Sequence, residues 1–127
     1  MKQIQWYPGH MAKTKKEIKE KVKMIDVVME LLDSRIPFSS QNPVIKQLTE
    51  HKPRLILLNK ADLADQTELN KWVTYFENEG NSTLKINSLS GKGIDKILPT
   101  IKGMLVDLVE KEKARGRIER PIRAMIL

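Results

Sequence analysis

Leu55-Ile56-Leu57-Leu58 is an unbroken aliphatic run, with Pro53 just ahead of it and the polar Asn59-Lys60-Ala61-Asp62 directly behind. An apolar run this short between punctuating residues reads as a strand buried on both faces. Three further stretches share its character: Met24 to Leu32, Thr83 to Asn87 and Ile122 to Leu127. Helical patterns separate them. Pro43 opens a short helix to about Glu50, and Asp65-x-x-Glu68 is a capping box that starts a longer one. Leu69, Trp72, Val73 and Phe76 follow it at i, i+3, i+4 and i+7, and Gly80 ends that helix. A third helix is predicted from Ile94 to about Arg115, with Pro99 near its first turns and Gly116 as its stop. Ahead of all this, Ile18, Val22 and Ile25 recur at helical spacing among lysines, the pattern of an amphipathic helix docked by one stripe. Strands alternating with helices predict an α/β fold: a parallel sheet of about four strands, flanked by helices and linked by right-handed crossovers.

Composition narrows the class. The 127 residues suit one domain, and 40% apolar content supplies a core. No apolar run approaches the ~20 residues of a membrane span. No signal peptide opens the chain, and there are no cysteines, which excludes disulfides and thiolate metal sites. His10 and His51 cannot make a zinc site alone. A cytosolic protein without a membrane span is expected. The net charge of +7 is uneven: residues 1–23 carry +5, residues 24–110 carry −2, and residues 111–127 carry +4. Basic segments at both ends of a near-neutral middle suggest a polyanionic partner, with solvated lysine-rich helix faces as the plain alternative.

The polar tip of the central strand carries the chemistry. Guanine presents N1–H and its exocyclic amine as neighbouring donors, and one ionised carboxylate, Asp62, can accept both in charge-assisted bonds. Adenine lacks that amine and would leave the carboxylate desolvated and unpaired. A site built in this way rejects the analogue by roughly 10⁴-fold or more. Asn59 has both donor and acceptor, for the purine edge or for tying the loop. The stem of Lys60 can lie over the base plane, and Ala61 completes the candidate nucleotide-binding set as the x of the motif. As a bare string, N-K-x-D is weak, and a polar turn after a strand would spell it too. Its place at the carboxyl end of a buried strand, where open α/β sheets bind ligands, favours the guanine reading. One crossover later, Asn87-Ser88 ends the next strand. A backbone N–H there can donate to the guanine carbonyl oxygen, with Ser88 bracing the loop. Gly91-Lys92-Gly93 imitates a dinucleotide fingerprint, but Lys96 stands where the third glycine belongs. No G-x-x-x-x-G-K-[ST] phosphate loop precedes N-K-x-D, or occurs anywhere in the chain.

Asn59-Lys60-Ala61-Asp62 followed by Asn87-Ser88 resembles the fourth and fifth guanine-nucleotide motifs of Ras-like GTPases. With those two motifs first, the order is similar to that of circularly permuted GTPases: fourth, fifth, first, second, third. Trp6-Tyr7-Pro8-Gly9-His10-Met11 and Asp33-Ser34-Arg35-Ile36-Pro37 resemble signatures of the bacterial ribosome biogenesis GTPase A group. The likeness runs from about Gln5 to Leu127. It departs at Tyr7, where Phe is usual, at Ser34, where Ala is usual, and at Leu89, where Ala commonly follows the serine of the fifth motif.

The resemblance implies that residues 1–127 form the amino-terminal part of a permuted G domain, with 1–23 a basic helical segment and 24–127 the βαβ core. Ile122–Leu127 would then lead into the phosphate loop. It further implies GTP and GDP as ligands, with Mg2+ held by residues past Leu127 and the 127-residue stretch inactive alone. His10 would position or activate the attacking water, because the family has a hydrophobic residue in place of the catalytic glutamine. The large ribosomal subunit, with its RNA, is the implied partner and stimulates hydrolysis. A surface or helix-capping histidine is the bland account of His10. Arg35 could brace Asp33 or touch nucleotide or RNA. The competing function is a non-catalytic basic RNA-binding α/β module in which N-K-x-D is coincidence.

Overall fold

The computed structural model describes residues 11–37, 43–116 and 121–127, for 11–14 the backbone alone. Trp6–His10 therefore lie outside the described residues. The elements run α1 (Met11–Val22), β1 (Val27–Asp33), α2 (Pro43–Thr49), β2 (Arg54–Asn59), α3 (Gln66–Asn78), β3 (Ser82–Lys85), α4 (Ile97–Met104), α5 (Val106–Ala114) and β4 (Ala124–Ile126). Short 3-10 turns occupy Ala61–Leu63 and Ile94–Lys96. The four strands form one sheet in the order β3-β2-β1-β4, and every pairing is parallel. This is the doubly covered α/β sheet that the alternating pattern predicts.

The central strands β1 and β2 bury both faces, as their near-continuous apolar spelling requires, while the edge strands β3 and β4 are half-buried to exposed. One face gathers Val27, Leu55, Leu57 and Ile86 under Ile101 of α4 and Leu105. The other gathers Leu32, Ile56 and Leu58 under Leu69 and Phe76 of α3. Burying such a side chain contributes about 1.5–3 kcal/mol, so these two layers dominate the stability of the sheet. Beside them, Ile18 and Val22 of α1 pack on Ile45 of α2, with Met125 and Leu127 against them. Lys15, Lys16, Lys19 and Lys21 stay exposed on the remainder of that helix, and Lys23 is exposed in the turn after it.

The structure trims several predicted limits. The first strand starts at Val27 rather than Met24, which is 63% exposed in a turn. The third strand ends at Lys85, because Asn87 leaves the ladder and bridges to Lys92. The fourth pairs only over Ala124–Ile126. The helix predicted from Ile94 to Arg115 is a 3-10 turn followed by two α-helices. Leu105, at the joint, departs from helical dihedrals (φ −103°, ψ 11°) while it stays buried and still donates to the Ile101 carbonyl. Asp65 caps α3 as predicted, accepting from the Glu68 N–H at 3.0 Å. Gly80, at φ 91°, ends it in the left-handed region that glycine enters freely.

The strand order puts the carboxyl ends of β1, β2 and β3 side by side. Backbone bonds then stitch their exits together. The Ser34 N–H donates to the Asn59 carbonyl at 2.8 Å, the Ile86 N–H to Leu58 at 3.0 Å, and the Ala61 N–H to Ile86 at 3.2 Å.

Candidate functional site

The loop that leaves β2 turns on Lys60, at φ 58° and ψ 34°. It is the one non-glycine residue with positive φ among the described residues. A side-chain-bearing residue in that conformation costs roughly 1–2 kcal/mol and marks a turn that the surroundings impose. The reversal carries Ala61 into the core, where it is 9% exposed, and leaves Asp62 at the surface. Gln66 reaches back from α3 and donates to the Ala61 carbonyl at 2.8 Å, which fixes the turn from its other side.

The loop that leaves β3 meets it. Asn87 Nδ2 donates to Asp62 Oδ1 at 2.8 Å, and the Ser88 N–H donates to Asn59 Oδ1 at 3.0 Å. Asn87 Oδ1 also accepts from the backbone N–H groups of Leu89 and Ser90, at 3.0 and 3.2 Å. One amide thus braces its own loop and aims the carboxylate of the neighbouring one. The bracing expected of Ser88 is carried in the structure by the Asn87 side chain. The loop closes through Asn87 N–H to Lys92 O (2.9 Å) and Gly91 N–H to Asn87 O (2.8 Å). Gly93 is required for that closure: a Cβ there would stand 2.6 Å from the Lys85 carbonyl oxygen, and its φ is +85°. The glycines of Gly91-Lys92-Gly93 therefore shape this loop rather than a dinucleotide turn.

The exit of β1 supplies a third member that the sequence reading left unassigned. Asp33 is held by Arg35 through Nε to Oδ1 (3.0 Å), a terminal guanidinium nitrogen to Oδ2 (2.8 Å) and the Arg35 backbone N–H to Oδ1 (2.9 Å). These bonds, the guanidinium first, hold the Asp33 carboxyl well below the usual carboxylate range, and Asp33 in turn raises Arg35. Lys60 Nζ lies 3.4 Å from Asp33 Oδ2. Of the roles left open for Arg35, the structure shows the local brace. Asp33 and Lys60 stand 27 positions apart, and only the register Asp33↔Asn59 makes them neighbours.

Asn59, Lys60, Ala61, Asp62, Asn87 and Ser88 are thus brought together by two adjacent strand ends. His10 lies outside the described residues, and His51 is exposed in the turn between α2 and β2. Chemically, the site offers a surface carboxylate with one oxygen steadied by an amide. An ionised carboxylate has about four lone-pair positions, so Asp62 retains capacity for two further adjacent N–H donors. Among the described residues, no group of three or more His, Cys, Asp or Glu could hold a metal ion, and no helix is long and apolar enough to cross a membrane.

No protein-family model matches the chain. It is 51% identical over 124 residues to a protein named ribosome biogenesis GTPase A from Bacillus licheniformis, an alignment covering 98% of this chain and 44% of that one. A relative of the same name from Bacillus pumilus is 48% identical over 124 residues, with the same two coverages. Among solved structures, the GNP-bound YlqF of T. maritima matches with a TM-score of 0.50 at 25% identity, over 90% of this chain and 41% of that one. The chain spans somewhat under half the length of the curated relatives it matches.

Proposed function

Because the chain belongs, over the length it has, to the ribosome biogenesis GTPase A family, we propose that it supplies the guanine-recognising half of a circularly permuted, GTP-hydrolysing factor for assembly of the large ribosomal subunit. The observation that carries this reading is the bond from Asn87 to Asp62. It draws the fourth-motif carboxylate and the fifth-motif loop together at the surface. Asp62 accepts the guanine N1–H and amine, the Ser88 region faces the carbonyl oxygen, and the stem of Lys60 lies along the base. Asn59 ties the two loops through the Ser88 N–H. Preorganised acceptors of this kind select guanine over adenine because the wrong base leaves a charge unpaired.

The phosphate-binding lysine, the switch segments and the magnesium ligands would be supplied past Leu127, so this chain's own part is base recognition. His10, ahead of α1, is the proposed positioner of the attacking water. Phosphoryl transfer needs alignment and charge stabilisation more than covalent chemistry, and a neutral imidazole can align a water. The exposed lysines of α1, opposite the stripe of Ile18 and Val22, support contact with ribosomal RNA, whose phosphates reward basic faces. A cytoplasmic setting follows from that partner.

Titrating the full-length protein with GDP and ADP tests the reading. GDP should bind roughly 10⁴-fold more tightly, and Asp62→Asn should move the preference toward xanthine, whose second ring oxygen can accept from the new amide. Equal binding of the two diphosphates would leave the basic RNA-binding module as the better account. Residues 1–127 alone should bind GTP poorly, so micromolar affinity of that stretch would count against the division of labour. His10→Ala should slow hydrolysis while GTP affinity stays near normal, and unchanged turnover would remove the histidine from the reaction.

A further inference from the structure

Lys60 poses a problem for any ligand that Asp62 is meant to bind. An ammonium two residues away in the same tight turn is a ready partner for that carboxylate. Opposite charges that close together at a protein surface attract even through solvent. An intramolecular pair of that kind would occupy the acceptors that guanine needs. In the structure the ammonium goes elsewhere: Nζ sits 3.4 Å from Asp33 Oδ2, at the tip of β1. Asp62 is left with the neutral amide of Asn87.

Asp33 is built to keep that partner. The Arg35 fork engages both of its oxygens, and the Arg35 backbone N–H adds a third bond to Oδ1. A planar, bidentate guanidinium fixes a carboxylate in orientation as well as in charge. The Ser34 N–H bonded to the Asn59 carbonyl holds the β1 exit against the turn that carries Lys60. The side chain of Lys60 is 43% exposed and that of Asp33 is 21% exposed, so the pair borders the open site rather than the core. Pairs this exposed contribute little to folding stability, which leaves the direction of the lysine as the effect to look for.

We propose that Asp33 is a positioning residue of the guanine site: locked by Arg35, it draws the Lys60 ammonium away from Asp62 and leaves the lysine stem to lie along the base. The inference rests on the guanine reading above and adds to it a determinant from a third loop. Without Asp33, Lys60 turns onto Asp62, and nucleotide must compete with it.

The test is a double-mutant cycle on the full-length protein, read as GDP and ADP affinity with thermal melting alongside. Asp33→Asn should weaken GDP about tenfold, within the range for contacting residues, and should narrow the GDP-to-ADP ratio. Lys60→Met in that background should absorb the loss, so that the double variant binds GDP within about twofold of Lys60→Met alone. A purely structural Asp33 would predict losses that multiply and a ratio that stays put; either result overturns the proposal. Unchanged GDP affinity in Asp33→Asn overturns it as well. If that variant melts below the assay temperature, Asp33→Ser decides, because it too removes the charge that holds Lys60. A GDP loss that Lys60→Met absorbs supports the tether, and no loss refutes it. A wild type that binds GDP and ADP alike would sink the guanine site itself. One that prefers GDP, with Asp33→Asn indistinguishable from it, would sink only the role of Asp33.

Discussion

β1 carries two carboxylates three residues apart, and they lead opposite lives. Glu30 is buried beside Arg54 of β2, at 3.4 Å, with both side chains 5% exposed. Arg54 also donates to Thr49 Oγ1 at the end of α2, and that hydroxyl in turn donates to the Ile45 carbonyl at 2.7 Å. Asp33 meets Arg35 and Lys60 at the rim of the sheet, where solvent reaches all three. The chemistry is the same and the consequence differs. Inside, a charge must be answered at once or the fold is penalised, and burial already pulls Arg54 below its ordinary value while Glu30 opposes the shift. At the rim, water screens the pair, stability gains little, and geometry becomes available for ligand work.

Removing one partner of the inner pair is the hardest blow to that contrast. Arg54→Ala should cost about 3–5 kcal/mol, because it takes away the buried guanidinium that faces the Glu30 carboxylate. Chemical denaturation of the variant measures this. The fraction that stays folded should keep its preference for GDP over ADP, since the N-K-x-D turn lies at the far end of β2. A substitution there that altered purine preference while leaving stability intact would invert the roles assigned to the two pairs.

How much of this was legible in the sequence follows the same divide. Apolar runs and helical spacing sufficed for four parallel strands, because local pattern decides local structure, and Asp65-x-x-Glu68 marked a cap that the structure shows. N-K-x-D at a strand end was readable because its position, as well as its spelling, constrains the chemistry. Glu30 was invisible inside an apolar stretch: nothing local says that the register Val28↔Arg54 brings a guanidinium over it. The left-handed Lys60 and its tie to Asp33 were hidden for the same reason, since both depend on how β1 and β2 align. The bend at Leu105 was missed because apolar residues continue on either side and Gly103 is a weak warning by itself. One signal was available and unused. Two glycines closing round Lys92 after a strand imply a backbone forced into close approach, which is what Gly93 meets at Lys85.

A smaller effect sharpens the rim side of the comparison. Asn87→Ala removes the donor to Asp62 and the acceptor for the Leu89 and Ser90 N–H groups. These groups face solvent, so water replaces much of what is lost. GDP affinity should fall by about 1–2 kcal/mol, roughly tenfold, with melting nearly unchanged. A fall in stability as large as that of Arg54→Ala would mean that the loop is part of the folding core, and the division between rim and interior would fail.

Acid gives the slightest effect and the finest discrimination. The Arg35 guanidinium and backbone N–H hold the Asp33 carboxyl below its ordinary range in the folded chain. The unfolded chain therefore takes up that proton first, at about pH 4. A depressed folded value means that the contribution is fully present above about pH 4 and fades as pH falls below it. At an exposed site the amount is small, because solvent and salt screen the charges. Comparing melting temperatures of wild type and Asp33→Asn from neutral pH down to about pH 3 isolates it from the other carboxylates, which titrate in both proteins. The gap between the two curves should begin to narrow below about pH 4, and adding salt at neutral pH should narrow it as well. A gap that neither acid nor salt changes would show that Asp33 acts through packing instead of charge, which would place it with the buried partners of β1 rather than with the site.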